Sequence, residues 1–353
     1  MLIHEALSYD DVLLVPKFSE VRSRRDIRLG TLFSTNVVLK IPVVSANMDT
    51  VTTGPMALAL ARVGGLGIIH RFLTIQEQVD EVKFVKKYGK DLQVGAAIGV
   101  KDYLKRSEKL IAAGVDVLVV DVAHGHAAHV LKIVTDLKKR WPKMDVVGGN
   151  VATQQGAEDF ANAGADGVKV GIGPGATCST RIVTGCGVPQ LSALMDIAIL
   201  KGSGDLEPRI RIPIIADGGI KSSGDITKAL AAGASTVMLG SLLAGTYESP
   251  GLISNRNGIK YKIYRGMASF EANVTRTQKE GKALAVEDII PEGVETAVPY
   301  KGPVDEVLNQ LMGGLRSGMS YCGAFDIKQL QERAEFVKIT TAGWNESIPH
   351  GLR

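Results

Sequence analysis

The sequence predicts an α/β protein whose eight strand-and-helix units close into a (β/α)8 TIM barrel, with a long flap insertion after the eighth strand. Three observations predict it. Short apolar, β-branched runs alternate eight times with stretches whose apolar residues recur at helical spacing. The runs are continuously apolar, as parallel strands covered by helices must be. Near-repeats "AAGVD", "NAGADG" and "AAGAST" each place a glycine at a helix end just before the next strand, where a left-handed C′ residue is wanted.

The strands read in order as "IPVVSA" (41–46), "LGIIH" (66–70), "LQVGAA" (92–97), "VDVLVVD" (115–121), "MDVVGG" (144–149), "DGVKVG" (166–171), "IPIIAD" (212–217) and "STVMLG" (235–240). Between them lie amphipathic stretches such as "DYLKRSEKLIAAG" and "HAAHVLKIVTDLKKRW". After the eighth strand the rhythm fails: residues 251–302 are polar, turn-rich and without a clear period, which predicts a lid or a disordered insert. A last helix, "VDEVLNQLMGGLRSGMSY", and a polar tail follow. No Pro-rich linker or low-complexity tract divides the chain, so residues 1–353 are expected to form one barrel domain.

Composition narrows the function. With 353 residues and 45% hydrophobic content the chain can bury a large core. The net charge of +4 is scattered, which argues against a nucleic-acid face and suits an anionic small substrate. No apolar run reaches membrane-spanning length, and the start lacks a basic segment followed by an apolar one, so no membrane partner and a cytoplasmic location are expected. The three cysteines, Cys178, Cys186 and Cys322, form no disulfide framework and no zinc pattern.

In such a barrel the working residues sit on loops after the strands. The first strand delivers Asn47, Met48 and Asp49; the fourth ends at Asp121; the fifth ends at Asn150; the sixth runs into "GIGPGATCSTR". The seventh gives Asp217 with "GGI", and the eighth "GSLLAG". These last two turns could be ordinary connections, or they could hold a phosphate on backbone N–H groups, as barrels do after these strands. Asp121 and Asp217 could cap helices, while two glycines after Asp217 also suit a ribose acceptor. His124 and His126 lack a third metal ligand and read as a hydrogen-bonded loop. Cys178 could be a buried structural thiol, but its glycine-rich loop beside Ser179, Thr180 and Arg181 suits an accessible, activated one. Cys186 and Cys322 read as structural.

Together "ALSYDDVLLVP", "SANMDTVT", "GIGPGATCSTR", "IIADGGI", "LLAGTYESPG", "YRGMAS", "PEGVETAVPYKG" and "GGLRSGMSY" resemble the IMP dehydrogenase / GMP reductase family along nearly the whole chain. The resemblance implies a barrel that assembles as a homotetramer, in which a loop cysteine attacks C2 of a purine nucleotide, GMP or IMP, and hydride moves between C2 and a nicotinamide, NADPH or NAD. Cys178 matches the nucleophile, Thr180 the threonine that helps activate water or the leaving ammonia, and Glu292 the threonine's acidic or amide partner. Asp217 would bind the ribose, Gly219, Gly240, Ser241 and Tyr264 the 5′-phosphate, and Met267 would lie near the base. Met48, Asp121 and Asn150 would lie near the nicotinamide. A monovalent cation, K+, would belong near Gly173, Gly175 and Cys178. The loop serine that usually helps hold phosphate is Ala176 here.

The resemblance leaves the direction divided. The regulatory CBS modules usual in the dehydrogenase are replaced by the short join "KKYGKDLQ". The dehydrogenase's flap Arg-Tyr pair, which activates water, is Arg276 followed by Thr277, and residues 265–299 contain no tyrosine. Asn47 and "TGCGVPQLSA" also resemble the reductase, whereas "YRGMAS", "PEGVETAVPYKG" and "TTAGWNESIPHG" resemble the dehydrogenase. The reading leans to GMP reductase, with IMP dehydrogenase as the alternative, in which Arg276 or a flap lysine would be the base. A non-catalytic purine nucleotide sensor is the remote one.

Overall fold

The computed structural model describes residues 3–202, 207–279 and 290–349. Ahead of the barrel run β1 (Val12–Leu14) and the hairpin strands β2 (Thr31–Leu32) and β3 (Val38–Leu39). The barrel strands are β4 (Val43–Ser45), β5 (Leu66–Ile69), β6 (Val94–Ile98), β7 (Val117–Asp121), β8 (Asp145–Val151), β9 (Gly167–Val170), β10 (Ile214–Asp217) and β11 (Thr236–Leu239). Each pairs in parallel with the next, and β11 pairs with β4 to close the ring. These strands coincide with the eight apolar runs of the sequence.

Two apolar layers hold the ring. Inward side chains, among them Val44, Ile68, Ala97, Val119, Val147, Ile215 and Met238, fill the interior together with Phe33, Val37 and Leu39 of the β2–β3 segment. The hairpin is fixed there by Asp145, whose carboxylate accepts from Ser34 Oγ, Asn36 N and Asn36 Nδ2 at 2.5, 2.8 and 2.7 Å. Outward side chains pack under helices α1 (Gly54–Val63), α2 (Ile75–Lys87), α3 (Tyr103–Ala112), α4 (Ala128–Arg140) and α5 (Gln154–Asn162). The short α6 (Thr180–Thr184) follows β9 and precedes α7 (Gln190–Ala198) and α8 (Ser223–Ala231). Helix α2 starts at a reciprocal cap between Thr74 and Glu77, as a Ser/Thr-x-x-Glu sequence favours.

Beyond β11 and the single turn α9 (Ser241–Ala244), the flap contains more order than its sequence suggested. It forms an antiparallel sheet of β12 (Ile253–Arg256), β13 (Ile259–Arg265) and β14 (Glu295–Pro299), with α10 (Phe270–Lys279) between the last two. Residues 280–289 of the expected lid lie outside the described residues. The β12–β13 turn is Asn257-Gly258, with φ of +53° and +79°, the geometry this dipeptide favours in a two-residue hairpin. Helices α11 (Val304–Tyr321) and α12 (Ile327–Arg333) return over α8, β15 (Phe336–Lys338) pairs with β1, and α13 (Thr341–Glu346) ends the described fold. No described helix is long and apolar enough to cross a membrane.

His70, at the end of β5, is buried and its Nδ1 accepts from Phe72 N at 3.2 Å. Burial, opposed only partly by Asp49, lowers its pKa from 6.5 to about 4. Between those values the unfolded chain binds a proton that the folded chain refuses, so stability falls as the pH drops through that window. The loss should approach 3 kcal/mol, roughly 1.4 kcal/mol for each pH unit. Chemical denaturation at stepped pH should show it, and a His70→Gln variant should flatten that part of the profile.

Candidate active site

All thirteen residues singled out above as catalytic, substrate-binding or cofactor-binding line one cavity of about 430 Å³ at the C-terminal ends of the barrel strands. Cys178 lies in the loop after β9. Its side chain is exposed, and Sγ donates to Thr180 Oγ1 at 3.1 Å. Thr180 Oγ1 donates in turn to Glu292 Oε2 at 2.8 Å. Glu292 comes from the flap, 112 residues later in sequence, and its position is set by backbone bonds on two sides. Ser179 N donates to Glu292 O at 3.0 Å, Val294 N to Thr177 O at 2.9 Å, and Glu292 N to Ala268 O at 3.0 Å. The late flap is thus sewn between the cysteine loop and the turn after β13. A thiol, a hydroxyl and a carboxylate in series can carry a proton from sulfur to oxygen and return it.

Strands from the middle of the chain supply the floor. Asp217, ending β10, and Asp121, ending β7, are not helix caps; both face Lys169 of β9, whose Nζ lies 2.7 Å from Asp217 Oδ2 and 3.6 Å from Asp121 Oδ1. Asn150 Nδ2 donates to Asp217 Oδ2 at 2.9 Å and to Gly171 O at 2.7 Å, while Lys169 Nζ donates to Asn150 Oδ1. Arg71 Nε donates to Asp121 Oδ2 at 3.3 Å. Burial alone would lower the Lys169 ammonium, but Asp217 and Asp121 outweigh it and hold its pKa above the usual lysine value. Burial likewise opposes ionisation of Asp121, and Lys169, Arg71 and a bond from Asn47 reverse that, keeping its pKa low.

The glycines after β10 and β11 have distinct steric reasons. Gly218 and Gly219 carry φ of +97° and +81°, in the left-handed region that favours glycine. At Gly240 a Cβ would meet Tyr264 Oη at 2.8 Å and Met48 Sδ at 3.3 Å. Only glycine lets this turn approach those side chains closely. Ser241 follows at the start of α9, and Ala176 lines the same cavity. Met267 Sδ accepts from Asp49 N at 3.2 Å, placing the turn after β13 against the loop after β4.

Several participants escaped the sequence reading. Lys169 was hidden inside the apolar run of its strand; a lysine between Val168 and Val170 was the signal. Arg265 of the flap holds Asp49 through Nε at 3.0 Å and Nη2 at 2.5 Å, which fastens the lid to the first strand's loop. Arg71, one residue past the second run, also lines the cavity. Elsewhere, His126 Nε2 lies 2.8 Å from Asp159 Oδ2, the hydrogen-bonded loop expected of it. The described residues contain no cluster of three His, Cys, Asp or Glu able to hold a metal. Near the suggested cation position, Gly173 has φ of +83° and Gly175 O accepts from Cys178 N at 3.1 Å. Cys322 is buried as expected, but Cys186 is exposed, which corrects its reading as a structural thiol: the turn after α6 gives it no core to enter.

Fold and site define a barrel enzyme with a thiol relay above a cavity of nucleotide size. Residues 6–350 match the model of the IMP dehydrogenase / GMP reductase domain, and the chain belongs to that family of NAD(P)-using oxidoreductases. It is 41% identical to inosine-5′-monophosphate dehydrogenase of Nitrosopumilus maritimus, covering 100% of this chain and 99% of the relative. It is 37% identical to GMP reductase of Leishmania donovani, covering 99% and 97%. A structure of GMP reductase from Trypanosoma brucei in complex with guanosine 5′-monophosphate superimposes with a TM-score of 0.91 at 36% identity, covering 99% of each chain.

Proposed function

We propose that the chain is a GMP reductase, converting GMP and NADPH to IMP and ammonia. The observation that carries the direction is the flap sequence Arg276-Thr277, with no tyrosine from 265 to 299 to complete a water-activating pair. A reductase needs no such base. The Cys178–Thr180–Glu292 series supports the covalent route. Cys178 Sγ bonds to C2 of GMP while its proton passes through Thr180 to Glu292, and the same proton returns to the departing amino group, which leaves as ammonia. Reduced nicotinamide supplies a hydride to C2 when bound. The C2–S bond then breaks, and the thiolate recovers a proton as IMP departs.

Asp217, oriented by Lys169 and Asn150, accepts from the ribose hydroxyls. Gly219, Gly240, Ser241 and Tyr264 hold the phosphate, Met267 lies near the base and Met48 near the nicotinamide end. Asn150, Asp121 and Arg71 line the same cavity, and their amide and charged groups fit a carboxamide ring. The homotetramer, measurable as sedimentation at four times the chain mass, and a K+ requirement, measurable by replacing K+ with Na+, belong to the same proposal. IMP dehydrogenase is the second reading, favoured by Arg276 lining the cavity, where it could act as base.

Absorbance at 340 nm decides between them. Loss of signal only with GMP and NADPH supports the reductase. A rise only with IMP and NAD+ overturns it in favour of the dehydrogenase, and silence in both with tight GMP binding leaves a nucleotide sensor.

A further inference from the structure

Lys262, midway along β13, is 3% exposed and does not line the active cavity. Its Nζ donates to Thr246 O at 2.8 Å, Tyr247 O at 3.2 Å, Ser249 O at 2.5 Å and Ser249 Oγ at 3.1 Å. All of these acceptors are neutral, and among the described residues no carboxylate forms an ion pair with the ammonium. Four oxygens share its three protons and take the place of a water shell, as carbonyls do around a bound monovalent cation. Burial lowers its pKa, and Glu248 offsets that only in part.

The cage is the chain that leaves α9. Thr246 Oγ1 donates to Leu243 O at 2.8 Å and Ser249 Oγ to Ala244 O at 2.6 Å, which satisfies two of the carbonyls a helix leaves open at its C-terminus. A four-residue helix has too few internal bonds to hold itself, so α9 depends on such outside ties. Lys262 supplies them from β13, where side chains two residues apart share a face and Lys262 and Tyr264 are both buried. At the other end of α9 stand Gly240 and Ser241, so close to that strand that a Cβ on Gly240 would meet Tyr264 Oη at 2.8 Å. One ammonium thus ties the turn that carries Ser241 to the strand that carries Tyr264. We infer that Lys262 is a positioning residue, a tethered cation that sets the spacing of Ser241 and Tyr264 and thereby the grip on the nucleotide's phosphate. The inference rests on the reading that these two residues hold that phosphate.

Titration calorimetry with GMP and with guanosine separates the phosphate's share of binding from that of base and ribose, and needs no turnover. Lys262→Met fills the space but leaves the carbonyls without a donor, so it should weaken GMP at least about tenfold and guanosine less than about twofold. Lys262→Ala should lose as much and regain at least about threefold with propylammonium, the missing part of the side chain. Neither 1-propanol, its uncharged analogue, nor tetramethylammonium, which has no N–H to donate, should restore it. Ser249→Ala takes one hydroxyl from the cage and should show the same pattern at about threefold. Unchanged GMP affinity in Lys262→Met, or in Ser249→Ala where the lysine variants fail to fold, overturns the assignment. So does an equal loss for guanosine, or equal rescue by 1-propanol. Wild-type protein that binds guanosine as tightly as GMP would sink the phosphate reading and this inference together, whereas a wild-type preference for GMP that Lys262→Met leaves intact sinks this inference alone.

Discussion

Cys178→Ala is expected to abolish turnover while leaving GMP bound. Loss of the covalent route should lower kcat by at least about 10⁴-fold, because no neighbouring group in the relay can form the bond to C2 that sulfur forms. Equilibrium GMP binding should change only a few-fold, since the proposed ribose and phosphate contacts lie on Asp217, the Gly218–Gly219 turn and the Gly240–Ser241 turn, none of them on the cysteine loop. Glu292→Gln tests the relay separately. It keeps the shape and a hydrogen bond to Thr180 but cannot take the thiol proton, so kcat should fall about 10²- to 10³-fold with KM for GMP nearly unchanged. Rapid quenching of the wild-type reaction should trap a protein-bound purine that Cys178→Ala never forms. A Cys178→Ala protein retaining more than about a hundredth of wild-type kcat would show that the thiol is not the nucleophile.

How far the sequence carried this site depends on the kind of signal each residue gave. The barrel was legible because a parallel strand under helices must be apolar along its length, and eight such runs left little choice of topology. Cys178, Asp217 and Gly240 were legible because each ends or follows one of those runs, where a barrel puts its chemistry. Lys169 was not, because its charge sits within a strand and becomes reasonable only when Asp121 and Asp217 arrive from two other strands. Arg265 was illegible for the same reason: its partner Asp49 is 216 residues away. The flap sheet was missed because its strands are half exposed and lack a clean apolar alternation, although Asn257-Gly258 marked the hairpin. Local rules find elements and turns, whereas a buried ion pair is a property of the closed ring.

Lys169→Met should therefore cost more than any surface charge change. The ammonium lies between two carboxylates with only 4% of its side chain exposed, and an isosteric thioether removes the charge while filling the space. Asp121 keeps Arg71 and Asp217 keeps Asn150, but neither partner replaces a cation held by both. Removing one member of a buried ion pair strands the other, a loss of about 3 to 5 kcal/mol, which for a chain of this size lowers Tm by roughly 10 °C. The pH dependence has a definite sign. Asp121 titrates below its unfolded value, so its contribution is present above about pH 4 and is lost as the pH falls through the folded pKa. The stability gap between wild type and Lys169→Met should be widest near neutrality and narrow in acid. Adding Asp121→Asn to Lys169→Met should recover part of the loss by removing the stranded charge. Function should follow geometry: with Asp217 held by Asn150 alone, its carboxylate loses its orientation and GMP affinity should drop about tenfold. A Lys169→Met protein as stable as wild type at pH 7 would mean that the two aspartates do not both carry charge in the folded ring.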